Sequence, residues 1–537
     1  MPNLPIRNLG QIGVVTDNHP YDLPINGVSR ANNVRFYGGA ICRANVFRSV
    51  LNTTLSTPVF TFSIKSSSDY DKIGIADKNG SIYTYLNGTE DDVTPSTWSS
   101  SNSDSPYTSA YLQNVVYINR DDHVPWYYKP TSTDFAALPN WTSTHRCEAF
   151  RSYRDYLIAL NITKGTTTYP TMVKWSDIAQ ANDYPASWDE TDSTKSAGEN
   201  ILGDMKTPIV DGLPLRDAFV VYSQDQVWMM QETGGPEVFN FRKLFDNKGM
   251  ISQNCAVEVE GKHFVFGRND IYVHDGSSIQ SIIEGKNRKL VFGNLNYKRT
   301  YRCFVTHNAA FHEVIFAYVS GDDDVGFVGT EYANRGAVYN YVSNTWSFID
   351  LPNVGMMTSA TYASTRTYTN ISSTWTDVGG TWYNQDAAGR DVLFAVSPAS
   401  SGVGLTASRL YGYETSSNGV VPYAISSEAT KQILVERIGV DLDEIQAGLN
   451  QYKVFRSIYP QVDTENNDQT LTFSFAGGST PQASMSFTSS GNFTPITGYK
   501  VDTREGGRYL AWRMTSTDYA DFQLSGFDID VIATGRR

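Results

Sequence analysis

Side chains able to bind metals, move protons or attack carbonyls are thinly spread along this chain. The seven histidines, His19, His123, His145, His263, His274, His307 and His312, are mostly isolated. His307 and His312 stand five residues apart, which on one strand sets them on opposite faces and argues against a shared metal. Cys42, Cys147, Cys255 and Cys303 are far apart, make no C-x-x-C pair and read as buried thiols. Asp322, Asp323 and Asp324 could offer oxygens to a hard cation, but they lack the spaced ligands of a calcium loop and read as a solvated loop. There is no G-x-x-x-x-G-K-[ST], H-E-x-x-H or G-x-S-x-G motif. The expectation is a protein that is not an enzyme, with no catalytic, metal or cofactor site.

One segment bears on hydrolysis. "DVGGTWY", Asp377 to Tyr383, is similar to part of the D-x-G-x-T-W hairpin called the Asp box in sialidase-type propellers, with Trp375 where that motif wants Ser or Thr. Asp boxes are structural turns, so a match speaks for a propeller and not for catalysis. A glycosidase would need two carboxylates about 5 to 10 Å apart across a sugar, and nothing in the sequence pairs them.

The elements that would carry any site are strands. Aromatics make up 13% of the 537 residues and charged residues only 18%, which suits an all-β chain. A net charge of −13 speaks against a generic basic nucleic-acid-binding surface. No run of about 18 apolar residues is present, and "MPNLPIRNLGQ" lacks the apolar core of a signal peptide, so the expectation is assembly in a cytoplasm without stable membrane insertion.

An aromatic strand-and-turn signature recurs as "IYTYLNG" from Ile82, "PWYYKP" from Pro125, "MVKWSD" from Met172, "VWMMQETG" from Val227, "IYVHDG" from Ile271, "AVYNYVSNTW" from Ala337 and "LYGYET" from Leu410. The spacings are 43, 47, 55, 44, 66 and 73 residues. Four-stranded propeller blades repeat at roughly 40 to 50 residues, and insertions lengthen a step. The reading is a β-propeller of about seven blades, within a range of six to eight. Hairpins are expected at Gly261 to Gly276 and around Asn344, with Trp346 beginning a return strand. The aromatics read as core and blade packing.

From about Ile425 the signature stops and a β-sandwich-like domain is expected. In "ERIGVDLD", Ile438, Val440 and Leu442 are assigned to one face; near the end the apolar parity switches at Ser525-Gly526, implying a bulge. Residues 1–31, with Pro at 2, 5, 20 and 24, read as an extended arm ordered by neighbours, and "NNVRFYGGAICRA" as a hairpin turning at Gly38-Gly39. The expected division is arm 1–31, propeller 32–424 and C-terminal domain 425–537.

"GVVTDNHPYDLPINGVSRANNVRFYGGAICRA", Gly13 to Ala44, resembles the N-terminus of tail proteins of short-tailed bacteriophages, where G-x-x-x-D-x-x-P-x-x-L-P-x-N precedes N-N-V-R-F-x-x-G. Gly13, Asp17, Pro20, Leu23, Pro24, Asn26, Asn32, Asn33, Val34, Arg35, Phe36 and Gly39 fall on it. "VKWSDIAQANDYPASW" resembles a W-S-D-x-x-x-P-x-x-W element with a longer spacer, and the blocks from Gly234 to Gly276 and from Gly507 to Arg537 look like family blocks too.

The family is the tail nozzle, also called tail tubular protein B or packaged-DNA stabilisation protein. The resemblance implies a virion protein: a homohexameric ring below the portal and adaptor, with tail fibre, tailspike or needle proteins around or below it. Double-stranded DNA would pass through without sequence-specific binding. Asp17, Asp22, Asn33, Arg35 and Arg43 are the expected adaptor or intersubunit docking residues, with Arg35 and Arg43 on one strand face pairing with Asp17, Asp22 or an adaptor carboxylate. The alternative is a glycan- or receptor-binding propeller, or a sialidase-like hydrolase, of a phage tail.

Overall fold

The computed structural model describes residues 4–65, 71–86, 89–96, 98, 101–235, 237–322, 326–361, 391–401, 404–414, 432–443, 451–464, 469–481, 485–517 and 522–535. The Asp-box segment and Asp323 and Asp324 lie outside these residues. The structure is all-β. Among the described residues, six separate four-stranded sheets are arranged in a ring, and a seventh four-stranded unit, Phe304–Asn308, Glu313–Tyr318, Ala333–Asn340 and Thr345–Val354, forms part of a nine-stranded sheet.

The third strands of these seven blades are Ile82–Leu86, Trp126–Tyr128, Thr167–Trp175, Gln226–Glu232, Ile271–His274, Ala333–Asn340 and Arg409–Glu414. Each carries one copy of the recurring aromatic signature. The first strands, from Pro58–Ile64 in blade 1 to Met356–Thr361 in blade 7, are innermost and contact the adjoining blade. Blade 7 is closed by Val46–Asn52, which pairs with Arg409–Glu414 although more than 350 residues precede that strand.

Blades stack face to face, so both faces of their strands are apolar and strict alternation is lost. Phe60, Phe62, Val116, Ile118 and Trp126 fill the joint between blades 1 and 2, and Ile158, Val173, Phe219 and Val221 that between blades 3 and 4. The predicted hairpins are present: Phe264 faces Val273, Phe266 faces Ile271, and Asn344 turns the chain in a left-handed conformation before Trp346.

The C-terminal sandwich has two sheets. Ile433–Val440, Tyr509–Ser516, Leu471–Gly478 and Ser489–Phe493 continue the sheet of blade 6, linked to it through Arg30–Asn32. The other sheet is built around Tyr452–Thr464 and Phe522–Gly535. Phe455 against Phe475 and Trp512 against Phe527 join the two layers. The predicted bulge is at Ser525, skipped between the Leu524–Val462 and Gly526–Gln461 pairs.

Three expectations need correction. Residues 4–31 are no loose arm: Leu4–Arg7 pairs with Phe522–Gly535, and Leu9, Val14, Leu23, Val28 and Ala31 are buried, most of them in the main core. The hairpin Val34–Tyr37 and Ala40–Arg43 also pairs with the C-terminal strand, so residues 4–43 belong with the sandwich and the propeller starts with Val46–Asn52. The prolines suppressed periodicity without suppressing burial. Ile438 does not share a face with Val440 and Leu442: a bulge between Arg437 and Val440, with Gly439 at positive φ, sends it into a small cluster with Ala476 and Ala511.

Candidate functional site

The segment that resembles the nozzle N-terminus forms a clasp between propeller, C-terminal sandwich and the connection that follows blade 5. Arg35 donates from Nε and Nη2 to the two carboxylate oxygens of Glu313, at 2.6 and 3.0 Å, and its guanidinium lies 3.4 Å from the centre of the Phe311 ring. Asn33, at φ 58°, donates to Asp350 at 2.8 Å and accepts from the Asp350 N–H at 2.9 Å. Asn32 accepts from Arg335, whose other nitrogen bonds Asp350. Arg437 donates to the carbonyls of Pro20 and Leu23. Asp17 accepts from the N–H groups of Arg288 and Lys289.

The docking residues read from the sequence are therefore mostly spent inside the chain. Asp17, Asn33 and Arg35 bind internal partners, Arg43 is buried, and Asp22 is exposed in a short 3-10 turn, Pro20–Asp22. Arg35 pairs with Glu313 instead of Asp17 or Asp22. Nor do Arg35 and Arg43 share a face, because the two-residue turn pairs Arg35 with Cys42 and Arg43 with Val34. Sequence reasoning missed Glu313, Asp350, Arg335 and Arg437, which lie hundreds of residues away and form no local motif. Cys147, Cys255 and Cys303 are buried as expected; Cys42 is half-buried.

Polar side chains lace one end of the propeller axis. Arg151 of blade 3 donates to both oxygens of Asp211 of blade 4, to Oδ1 of Asn254 before blade 5, and to the Ser109 carbonyl of blade 2. Asn254 donates 2.8 Å to the Tyr107 carbonyl before blade 2, joining blades that are not neighbours. Gln253 donates to Glu148, whose carboxyl burial pushes up from the usual range. Arg302 and Lys78 both reach Asp104 at 2.7 Å. Each guanidinium has a carboxylate in reach, so the network compensates its charges.

Four of the histidines gather in pairs around tyrosine hydroxyls. His263 and His274 each lie 2.6 Å from the buried hydroxyl of Tyr222 at the joint of blades 4 and 5. His307 and His312 both approach the hydroxyl of Tyr341 at 3.2 Å. The two rings do not lie on opposite faces of one strand, because the strand ends at Asn308 and a 3-10 turn, Ala309–Phe311, brings the second ring round. Among the described residues, no three His, Cys, Asp or Glu side chains cluster to hold a metal.

A cleft of about 550 Å³ lies beside blades 4 and 5, lined among others by Lys248, Arg268, Asp270, Arg288 and Tyr297. Asp270 is occupied by Lys248 at 2.6 Å and by Ser281. Tyr297 is 56% exposed. The rim is the connection between blades 5 and 6, whose helix, Arg288–Asn294, starts at the Asp17 carboxylate.

No family model matches this chain, and no curated protein matches it. Among solved structures, it is similar to the computationally designed Ika8 protein at 11% identity, over 63% of this chain and 89% of that one, with a TM-score of 0.33. It is also similar to BBS1N in its complex with ARL6DN, soaked with lead, at 10% identity, over 70% and 98% of the two chains, with a TM-score of 0.38.

Proposed function

We propose that this chain is the subunit of a tail nozzle of a short-tailed bacteriophage, six copies forming a conduit below the portal and adaptor that retains packaged DNA and releases it during ejection. The observation that carries the reading is the match between motif and clasp. Gly13, Asp17, Asn32, Asn33, Arg35 and Gly39 fall on the resembling segment; the first five bond or pack against the propeller side of the junction, and Gly39 turns the hairpin that carries Arg35. Gly13 has φ 75° with Thr345 and Trp346 atoms 3.0 Å from where a Cβ would sit, and Gly39 has φ 79° in the hairpin turn. A motif whose residues build this junction is a marker of the architecture.

A ring closes through one repeated heterologous interface. A chain of net charge −13 adds little phosphate affinity, and so little friction, to such a conduit. Native mass measurement and particle imaging, with and without an adaptor ring from a short-tailed phage, test the proposal. Rings of six, alone or on the adaptor, are expected; a strict monomer that also ignores the adaptor overturns it.

A further inference from the structure

The connection from Glu284 to Arg302 holds six basic residues, Lys286, Arg288, Lys289, Lys298, Arg299 and Arg302, against one acidic residue, in a chain of net charge −13. Its shape is fixed by the clasp. The Lys286 carbonyl accepts from the N–H groups of Thr16 and Asp17, Asn287 accepts from Thr16 and donates to Val14, and Asp17 holds the N–H groups of Arg288 and Lys289. Several of the charges are engaged: Arg288 has Glu284 at 3.3 Å, Arg299 has Glu331 at 3.3 Å, and Arg302 has Asp104 at 2.7 Å. Lys286, Lys289 and Lys298 have no ion pair among the described residues, and Lys289, Lys298 and Tyr297 are exposed.

We infer that this connection is a cationic ledge that meets the phosphate backbone of double-stranded DNA. The inference rests on the conduit reading and names the contact surface within it. Lys286 and Lys289 stand on backbone that the clasp pins, and Lys298 follows on the same connection, so three ammonium groups without an ion pair among the described residues make a small positive feature in an acidic molecule. Ammonium groups act on phosphate as point charges without reading bases. Asp17 and Asp270 lie close by but have their own donors, so they subtract from the ledge without cancelling it. Three contacts give weak, strongly screened attraction, which suits a surface that DNA slides past.

The test is fluorescence anisotropy with a short labelled duplex, using the full chain and its Lys286→Gln/Lys289→Gln/Lys298→Gln variant, with melting curves as a check on folding. About three neutralised phosphates predict a fall in affinity of roughly forty-fold between about 50 and 200 mM salt. The variant is expected to lose most of that salt dependence. Absence of binding at the lower salt, or an unchanged slope in the folded variant, overturns the ledge while rings of six leave the conduit reading intact. A variant that binds duplex normally but no longer assembles also overturns it, because the lysines would then meet a second copy. Submicromolar binding at physiological salt would instead remove the low-friction conduit.

Discussion

The hydroxyl of Tyr222 lies 2.6 Å from Nδ1 of His263, and this contact fixes every proton in a buried relay. Nε2 of His263 is 2.7 Å from the Pro214 carbonyl, which can only accept, so Nε2 carries the proton and Nδ1 is the acceptor. Tyr222 must donate to it, and so accepts from Nε2 of His274, whose Nδ1 takes the Gly276 N–H at 3.3 Å. The chain is satisfied only when both rings are neutral. An extra proton on His274 would set its Nδ1 donor against the Gly276 donor.

Acid should therefore loosen the joint of blades 4 and 5. Burial lowers His263 from 6.5 to about 4, and burial with His263 beside it lowers His274 to about 3. With folded values below unfolded ones, the unfolded chain binds more protons in this window. The stability is complete above pH ~6.5 and falls as pH drops from there towards ~3, each ring taking away up to roughly 1.4 kcal/mol for every pH unit crossed. Denaturant midpoints at pH 7 and 5 measure it. Tyr222→Phe should cost about 1–3 kcal/mol, because it leaves one imidazole nitrogen and one N–H unpaired.

The pair Arg35 and Glu313 gives a second prediction, since both side chains are at most 4% exposed. Arg35→Ala should cost about 3–5 kcal/mol by leaving the buried Glu313 without its cation. Arg35→Met with Glu313→Leu should cost far less, with about 1 kcal/mol left from the orphaned Asn308 amide, which donates to Glu313 at 3.0 Å. A double-mutant cycle on unfolding free energies reads the coupling, and additive losses would contradict it.

Deleting residues 1–29 should damage the sandwich more than the propeller. Arg437 would lose the carbonyls of Pro20 and Leu23, and Phe522–Gly535 would lose Leu4–Arg7. Hydrogen exchange should rise along residues 433–440 and 522–535 while blades 2 to 4 stay protected. Unchanged protection of the sandwich would contradict this.

A thiol reagent separates the cysteines. Burial pushes Cys303 up to about 12 and raises Cys147 and Cys255 well above the ordinary thiol range, so these three should stay unmodified in the native protein. Half-buried Cys42 should react first, and all four should react in denaturant.

The sequence made the propeller legible because the third strand of each blade repeats an aromatic-turn pattern that no insertion disturbs. Single features set by local geometry were legible too, including the Gly38-Gly39 and Asn344 turns and the Ser525 bulge. What escaped was decided by distant partners. Glu313 is 278 residues from Arg35, so the surface role expected of Arg35 had no local evidence against it. Leu4 to Ala31 looked aperiodic because the segment passes over several elements in turn, from Phe522–Gly535 to Trp346 and Ile433–Val440, and burial of that kind leaves no period to read. The Glu284 to Arg302 charge excess was visible, but the acidic total hid it.

The strand Val46–Asn52 that completes blade 7 has a timing consequence. Together with Leu4–Arg7 and Arg30–Asn32, it pairs only with residues synthesised hundreds of positions later. On the ribosome, blades 1 to 6 can form in order while Leu4–Arg7 and Val46–Asn52 wait for their partners, and loop closure over such separations is slow. Ring closure can follow once Arg409–Glu414 is made, whereas Leu4–Arg7 waits for Phe522–Gly535. A nascent chain halted before Phe522 would hold folded blades with Leu4–Arg7 still unclaimed, so the sandwich is sealed only after the propeller it rests on.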